Sequence, residues 1–227
     1  PCIAGHVGAD TAGVILAESP DSDTAMSLIV DVGTNAEIVL GNKDRLLVCS
    51  SPTGPAFEGG EISAGQRATA GAIERVRIDR ETLEPKFRVI GSELWSTEAG
   101  FEDSTKELKI TGICGSGIIE VVAEMFLAGV ISEDGIVDGA LAERSSRVRS
   151  HGRTWSYVLH FAEDETQRDI VVTQNDVRQI QLAKAALYAG IKLLMDKTGV
   201  SAVDRIRLAG AFGSHISVEH AMVLGLI

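Results

Sequence analysis

Asp31-Val32-Gly33-Thr34-Asn35 lies between two apolar runs, Ser27 to Val30 and Ala36 to Leu40. A third run, Arg45 to Cys49, follows the turn residues Gly41-Asn42-Lys43-Asp44. The layout is strand, acid-bearing glycine turn, strand, turn, strand, an antiparallel pattern set by short connections. A tight turn that exposes backbone N–H groups and carries a small hydroxyl and one carboxylate suits a magnesium-bound polyphosphate. Gly33 permits close backbone approach, Thr34 and Asn35 supply polar donors, and Asp31 is the candidate catalytic carboxylate and magnesium site, acting through the ion's water shell. The same residues also make an ordinary hairpin turn, and Glu37 also fits the solvent face of a strand.

Outward from this turn, the 227-residue chain carries 44% hydrophobic but only 4% aromatic residues, so Val, Ile, Leu and Ala must build the core. Its 24 glycines cluster at 54–71, 112–117 and 210–213, which places tight loops at set points. The formal net charge of -11 argues against a duplex nucleic-acid partner, which requires a basic face. The sequence has no run of about 18 apolar residues to cross a membrane as a helix. Three cysteines, Cys2, Cys49 and Cys114, lack the spacing of a zinc or iron–sulfur ligand set and suit reduced, buried thiols in a cytoplasm. The apolar ends, Pro1-Cys2-Ile3 and Leu224-Gly225-Leu226-Ile227, read as part of a longer polypeptide.

The spacing predicts a helix over about Ala9 to Ala17, with Asp10 or Thr11 at its start, and a surface connection from Ser19 to Asp23. A small-residue helical stretch is expected near Ser63 to Thr69, then paired strands at Glu74 to Asp79 and Phe87 to Ile90. A short strand, Leu108 to Ile110, is expected to lead into Gly112, and Ile118 to Leu127 reads as a helix. Ser145 to His151 is basic and polar and is expected to be a loop. Trp155 to Ala162 and Ile170 to Thr173 fit two strands about a charged turn. The strongest helix follows, with Thr173 and Asp176 as a capping pair, a stripe of Val177, Ile180, Leu187, Ile191 and Leu194, and Gly199 as its left-handed stop. Arg205 to Ala209 is a strand, and Val218 to Leu224 opens a helix. Without a linker, one compact domain is the simplest reading. Strands first and then alternating helix and strand suit an α/β, ribonuclease H-like mixed sheet flanked by helices.

Three further glycine loops carry candidate chemistry. Gly59-Gly60-Glu61 before the expected helix suits a phosphate-facing N-terminus, with Gln66 and Arg67 able to reach a base or ribose; a helix cap with solvated polar residues explains the pattern as well. Gly115-Ser116-Gly117, within Gly112 to Gly117, repeats strand, glycine loop and helix, but has no Walker lysine. Cys114 has no local base to activate it and reads as a packing residue. Gly210-Ala211-Phe212-Gly213 would let an adenine lie against backbone, although Phe212 fits the core and His215 a cap equally well.

Together these loops resemble the acetate and sugar kinase, heat-shock ATPase and actin superfamily: Asp31 to Gly41 is similar to a phosphate motif, Leu208 to Gly213 to its adenosine motif, and Gly59-Gly60-Glu61 to the loop after its third strand. Four stretches resemble more narrowly the reductive activators of corrinoid proteins: Ala4 to Thr11, Gly54 to Gly59, Gln174 to Gln179, and Gly210 to His215. The resemblance implies an actin-like ATPase lobe that binds ATP and Mg. It also implies an upstream [2Fe-2S] ferredoxin domain and a first ATPase lobe outside this chain. The intact protein would reduce Co(II) corrinoid to Co(I) for methyl transfer, with a corrinoid protein or corrinoid methyltransferase as partner, no nucleic acid or membrane, and a homodimer as an open option; this segment alone would neither hold iron nor complete an ATP site. His6 and Ala70 stand where the resemblance implies a bulkier apolar residue and a proline. The alternatives are a small-molecule kinase of the same superfamily, or a non-redox actin-like ATPase scaffold.

Overall fold

The structure is a computed structural model that describes Gly5, residues 7–162 and residues 167–227. Cys2, Ala4, His6 and the charged turn at 163–166 therefore lie outside the described residues. In chain order the elements are α1 (Asp10–Glu18), β1 (Ser27–Asp31), β2 (Ala36–Asn42), β3 (Arg45–Ser51), β4 (Ile73–Ile78), β5 (Pro85–Val89), α2 (Phe101–Thr105), α3 (Gly115–Leu127), β6 (Val148–His151), β7 (Thr154–His160), β8 (Ile170–Thr173), α4 (Gln174–Thr198), β9 (Arg205–Ala209), α5 (Gly210–Gly213) and α6 (Val218–Val223).

Two compact units replace the single domain expected from the absence of a linker. Unit 1 takes the chain up to Gly54, Leu182–Ile216 and Gly225–Ile227; unit 2 takes Pro55–Gln181 and Ser217–Leu224. Each unit is discontinuous in sequence, so no composition shift marks a boundary.

Unit 1 is a four-stranded mixed sheet in the order β3-β2-β1-β9. The two hairpins are antiparallel, while β9 adds to β1 in parallel. Leu28, Ile29 and Val30 of β1 and Ile38, Val39 and Leu40 of β2 are all buried, as expected of central strands covered on both faces. The C-terminal part of α4 sits close to β2 and β3. A Cβ at Gly190 would come within 2.6 Å of Ile38 Cδ1, and Ser51 Oγ donates to the Ala186 carbonyl at 2.6 Å. Gly199, at φ +73°, ends α4, and the Val200 N–H returns to the Met195 carbonyl at 3.1 Å.

Unit 2 holds the β4–β5 hairpin, α3, the three-stranded sheet β6-β7-β8 and α6. Helix α3 is buried on almost every side, from Gly115 to Met125, which requires partners for its polar residues. Glu120 accepts the Val76 N–H at 2.9 Å and Glu124 accepts the Ile78 N–H at 2.9 Å, so two helix carboxylates satisfy the strand edge of β4. Arg75 and Arg77 reach Glu120 at 2.9 and 2.6 Å, and His220 Nε2 lies 2.9 Å from Glu124. Burial alone would raise the Glu124 carboxyl; the hydrogen bonds from His220 and Ile78 and the nearby Arg77 outweigh it and hold the group below its ordinary value of 4.5. This contribution to stability is present above that value and fades as pH falls through the lower folded one.

Several local expectations are corrected. Residues 63–69 form turns instead of a helix, because glycines here bring backbone onto backbone: a Cβ at Gly65 would lie 2.0 Å from the Gly59 carbonyl oxygen. Leu108 to Ile110 is not a strand; further along, Ile113 makes isolated bridges to Gly65 and Ile73. Val148–His151 is strand β6 instead of loop, paired with β7. The capping pair is realised reciprocally: the Thr173 N–H donates to Asp176 Oδ2 at 2.7 Å and the Asp176 N–H to Thr173 Oγ1 at 3.2 Å.

Asp176 is 1% exposed and its Oδ1 also accepts the Ser63 N–H at 2.8 Å and the Ser63 hydroxyl at 3.0 Å. Asp176→Ala removes the cap and strands buried donors, so urea unfolding midpoints should report a loss of about 2–4 kcal/mol, with Asp176→Asn losing less.

Candidate functional site

The parallel register of β1 with β9 sets Asp31 beside Ala209. The two chain segments that leave these strands, 32–35 and Gly210–Gly213, therefore start side by side at one end of the unit 1 sheet. Gly210 has φ +81°, and a Cβ there would lie 2.1 Å from Asp31 Oδ1. The Asp31 carboxylate thus rests directly on the Gly210 backbone. Beneath the first turn, buried Thr53 donates its hydroxyl to the Gly33 carbonyl at 2.8 Å, and the Gly54 N–H donates to the Thr34 carbonyl at 2.9 Å. These bonds fix the turn from below and leave Thr34 and Asn35 exposed on its rim. Ala211 is also exposed, Phe212 is half-buried, and Gly213 is buried against Leu208.

Electrostatics set this end of the sheet apart. Half-buried Asp31 is held above its ordinary carboxyl value, first by desolvation and then by the negative charge of Asp10 at the start of α1. Glu37, directly opposite Asp31 in the hairpin, is also raised, first by desolvation; the Ser50 hydroxyl at 3.2 Å opposes this, and Asp10 and Asp31 add to it. Asp10 and Glu37 are site residues that the sequence reading did not assign. Hairpin register could have shown Glu37 opposite Asp31; no spacing rule joins Asp10 to them. Asp31 and Glu37, each made costlier to ionise by desolvation and by neighbouring negative charge, gain from a nearby cation. Asp31 offers one carboxylate that suits the water shell of a hydrated magnesium ion, and among the described residues no group of three His, Cys, Asp or Glu is arranged to ligate a metal directly.

The remaining residues lie in unit 2. Gly59, at φ +85°, packs on the Gln66 backbone, and the Gly60 N–H donates to the Pro55 carbonyl at 2.9 Å. Gln66 donates its N–H to the Ile113 carbonyl at 2.9 Å, and its side-chain oxygen accepts from the Thr111 hydroxyl at 2.8 Å. Glu61, at φ +60°, and Arg67 are exposed on the same loop. Gly115, Ser116 and Gly117 are buried at the start of α3. The Ser116 hydroxyl donates to the Glu74 carbonyl, and a Cβ at Gly117 would lie 2.3 Å from the Ile73 carbonyl oxygen. These three residues are packed closely against strand β4.

Residues 25–227 match the family described as the C-terminal domain of RACo, the ASKHA domain. The chain belongs to this family. As a RACo C-terminal domain it is 35% identical over 235 residues to the corrinoid activation enzyme RamQ of Eubacterium limosum, an alignment covering 100% of this chain and 36% of RamQ. It is 28% identical over 235 residues to the [Co(II) methylated amine-specific corrinoid protein] reductase of Methanosarcina barkeri, covering 99% of this chain and 39% of the reductase. A solved structure titled as a reductive activator for corrinoid, iron-sulfur protein superposes with a TM-score of 0.85 at 34% identity, covering 100% of this chain and 34% of that one. The chain therefore spans about a third of these relatives. The actin-like mixed α/β fold expected from the strand order is the fold of this family. No helix among the described residues is long and apolar enough to cross a membrane.

Two substitutions test the geometry. Gly210→Ala meets both a positive φ and the Asp31 carboxylate, so thermal melts should show clear destabilisation. Asp31→Asn should raise the melting temperature at pH 7. A carboxyl whose folded pKa is raised favours folding below its unfolded value, and this contribution is lost as pH rises through the folded value. The advantage of the Asn variant should shrink as pH falls through the raised folded value and the wild-type carboxyl protonates.

Proposed function

We propose that this chain is the nucleotide-binding part of an ATP-dependent protein that reduces corrinoid-bound Co(II) to Co(I), restoring the methyl-accepting state. The observation that carries the reading is the seat of Asp31 on Gly210 at the joined ends of β1 and β9, in a chain whose relatives are described as corrinoid activators. In this reading Gly33, Thr34 and Asn35 present the turn's donors to phosphate oxygens. Asp31 orients the water shell of a magnesium ion, with Asp10 and Glu37 adding negative potential. Gly210, Ala211, Phe212 and Gly213 offer a flat backbone surface to the adenosine. Gly59, Gly60, Glu61, Gln66 and Arg67 belong to unit 2 and enter this reading only through the family resemblance.

The reduction adds one electron to cobalt, supplied by an iron–sulfur centre that the family resemblance places outside this chain. Residues of this chain contribute binding and conformational control. A nucleotide shifts a conformational equilibrium only by its differential affinity for the two states, and closure about a ligand is a common form of that difference. Bound magnesium would supply charge neutralisation for the phosphates. The proposed partner is a corrinoid protein.

The test is reciprocal linkage in the full-length protein. A non-hydrolysable ATP analogue should change the affinity for the corrinoid protein by about 5–150-fold, and the corrinoid protein should change nucleotide affinity by the same factor. Absence of linkage in both directions, measured by calorimetric titration, refutes the reading. Asp31→Ala should weaken magnesium-dependent nucleotide binding and leave binding without magnesium little altered.

A further inference from the structure

We propose that the outer face of the β4–β5 hairpin docks an acidic segment of a protein partner. Cross-strand register places Arg75 opposite Arg88 and Arg77 opposite Lys86. Strand alternation turns Val76, Ile78, Phe87 and Val89 into the core of unit 2, and the four cations to the other face. Like charges directly opposite each other destabilise a hairpin. Two such pairs in succession gather four cations on one face of a chain of net charge -11; Arg75 and Arg77 also answer the buried Glu120, Arg88 pairs with exposed Glu93, and Lys86 has no carboxylate partner among the described residues.

Protection of an open strand edge is the ordinary use of such charges, but neither edge is bare. Along β4, Glu120 and Glu124 accept the Val76 and Ile78 N–H groups. Along β5, the Ser96 N–H donates to the Phe87 carbonyl at 2.8 Å and the Phe87 N–H donates to Ser96 Oγ at 3.0 Å.

The three arginines are ion-paired and still partly exposed. Arg75 and Arg77 share the two oxygens of Glu120, whose carboxylate also serves the Val76 amide and is buried. Their side chains remain 30% and 38% exposed. Arg88 pairs with Glu93, which is 93% exposed and free to give way to a competing carboxylate. Lys86 lies over the Trp95 ring at 5.2 Å and Arg77 at 5.7 Å; among the described residues no carboxylate pairs with Lys86. An anchored Arg77 beside half-buried Trp95 matches the residue types that dominate binding energy at protein interfaces, and a side chain already held in place lowers the cost of ordering on binding.

The shape favours a protein segment over a free anion. Strand geometry spreads the four charges over about 7 Å along the hairpin and about 5 Å across it. The face is pleated and open, without the convergent backbone donors that enclose a phosphate. In a chain that is acidic overall, a cationic face of this kind steers an acidic partner and sets orientation and association rate.

The test uses the full-length protein with a fluorescent Glu-Gly repeat peptide as probe. Wild-type binding should weaken steeply with salt. Lys86→Glu combined with Arg88→Glu should reduce peptide affinity by at least about tenfold, equivalent to about 1.4 kcal/mol, and flatten the salt dependence, with ATP-analogue affinity retained. Lys86→Gln alone, an exposed change, should give a smaller loss in the same direction and guards against misfolding of the double variant. Equal peptide affinity in wild type and Lys86→Gln, with an unchanged salt slope, overturns the proposal, as does tripolyphosphate competing as well as the peptide at equal charge. If the wild type binds the peptide at this face but no corrinoid protein, the docking face stands and the corrinoid reading falls.

Discussion

The parallel hydrogen-bonded pairing of β1 with β9 is the constraint on which the candidate site depends. It joins strands far apart in sequence and aligns their C-terminal ends, so two turns that neither strand could bring together alone emerge side by side. Parallel neighbours need a crossover, and the chain between β1 and β9 includes all of unit 2 except α6. A register slip of one residue would turn Asp31 to the opposite face and dissolve its contact with Gly210. The burial of Leu28, Ile29 and Val30 makes such a slip costly.

Unit 2 solves a different problem. Helix α3 is too deeply buried to leave polar groups unpaired, yet it carries Glu120 and Glu124 one turn apart. Both accept amides of β4, and they hold Arg75, Arg77 and His220 as well. Buried ion pairs add little net stability when weighed against apolar substitutes, but loss of one partner leaves an uncompensated charge. The value of this pair lies in specification: a helix presenting carboxylates at this spacing fits β4 in one register only.

Much of the four-stranded sheet and of helix α4 was legible because the signals are local. Alternating or continuous apolar runs marked β1, β2, β3 and β9, the Thr173 and Asp176 pair marked the start of α4, and Gly199 marked its end. The turn chemistry of Asp31 to Asn35 pointed to the candidate site before any coordinate did. What stayed hidden was non-local. Asp10 joins the site through tertiary packing, and Thr53 supports the turn from a strand end that carries no motif. Gly59, Gly112 and Gly117 read as candidate ligand-facing glycines, and each also lets backbone approach closely inside unit 2, which sequence alone does not reveal. Strand β6 was masked by its Arg and Ser content, since a polar edge strand has no apolar period to betray it.

Gly210 carries two independent restrictions at once. Its backbone occupies the left-handed region, and the space a side chain would fill belongs to the Asp31 carboxylate. A mutation at Asp31 that cleared the space would leave the dihedral penalty in force, and a loop rearrangement that cured the dihedral would still meet the carboxylate. No single compensating change reopens the position. Codon 210 is therefore an evolutionary dead end for every residue but one, and divergence among descendants of this gene should flow around it.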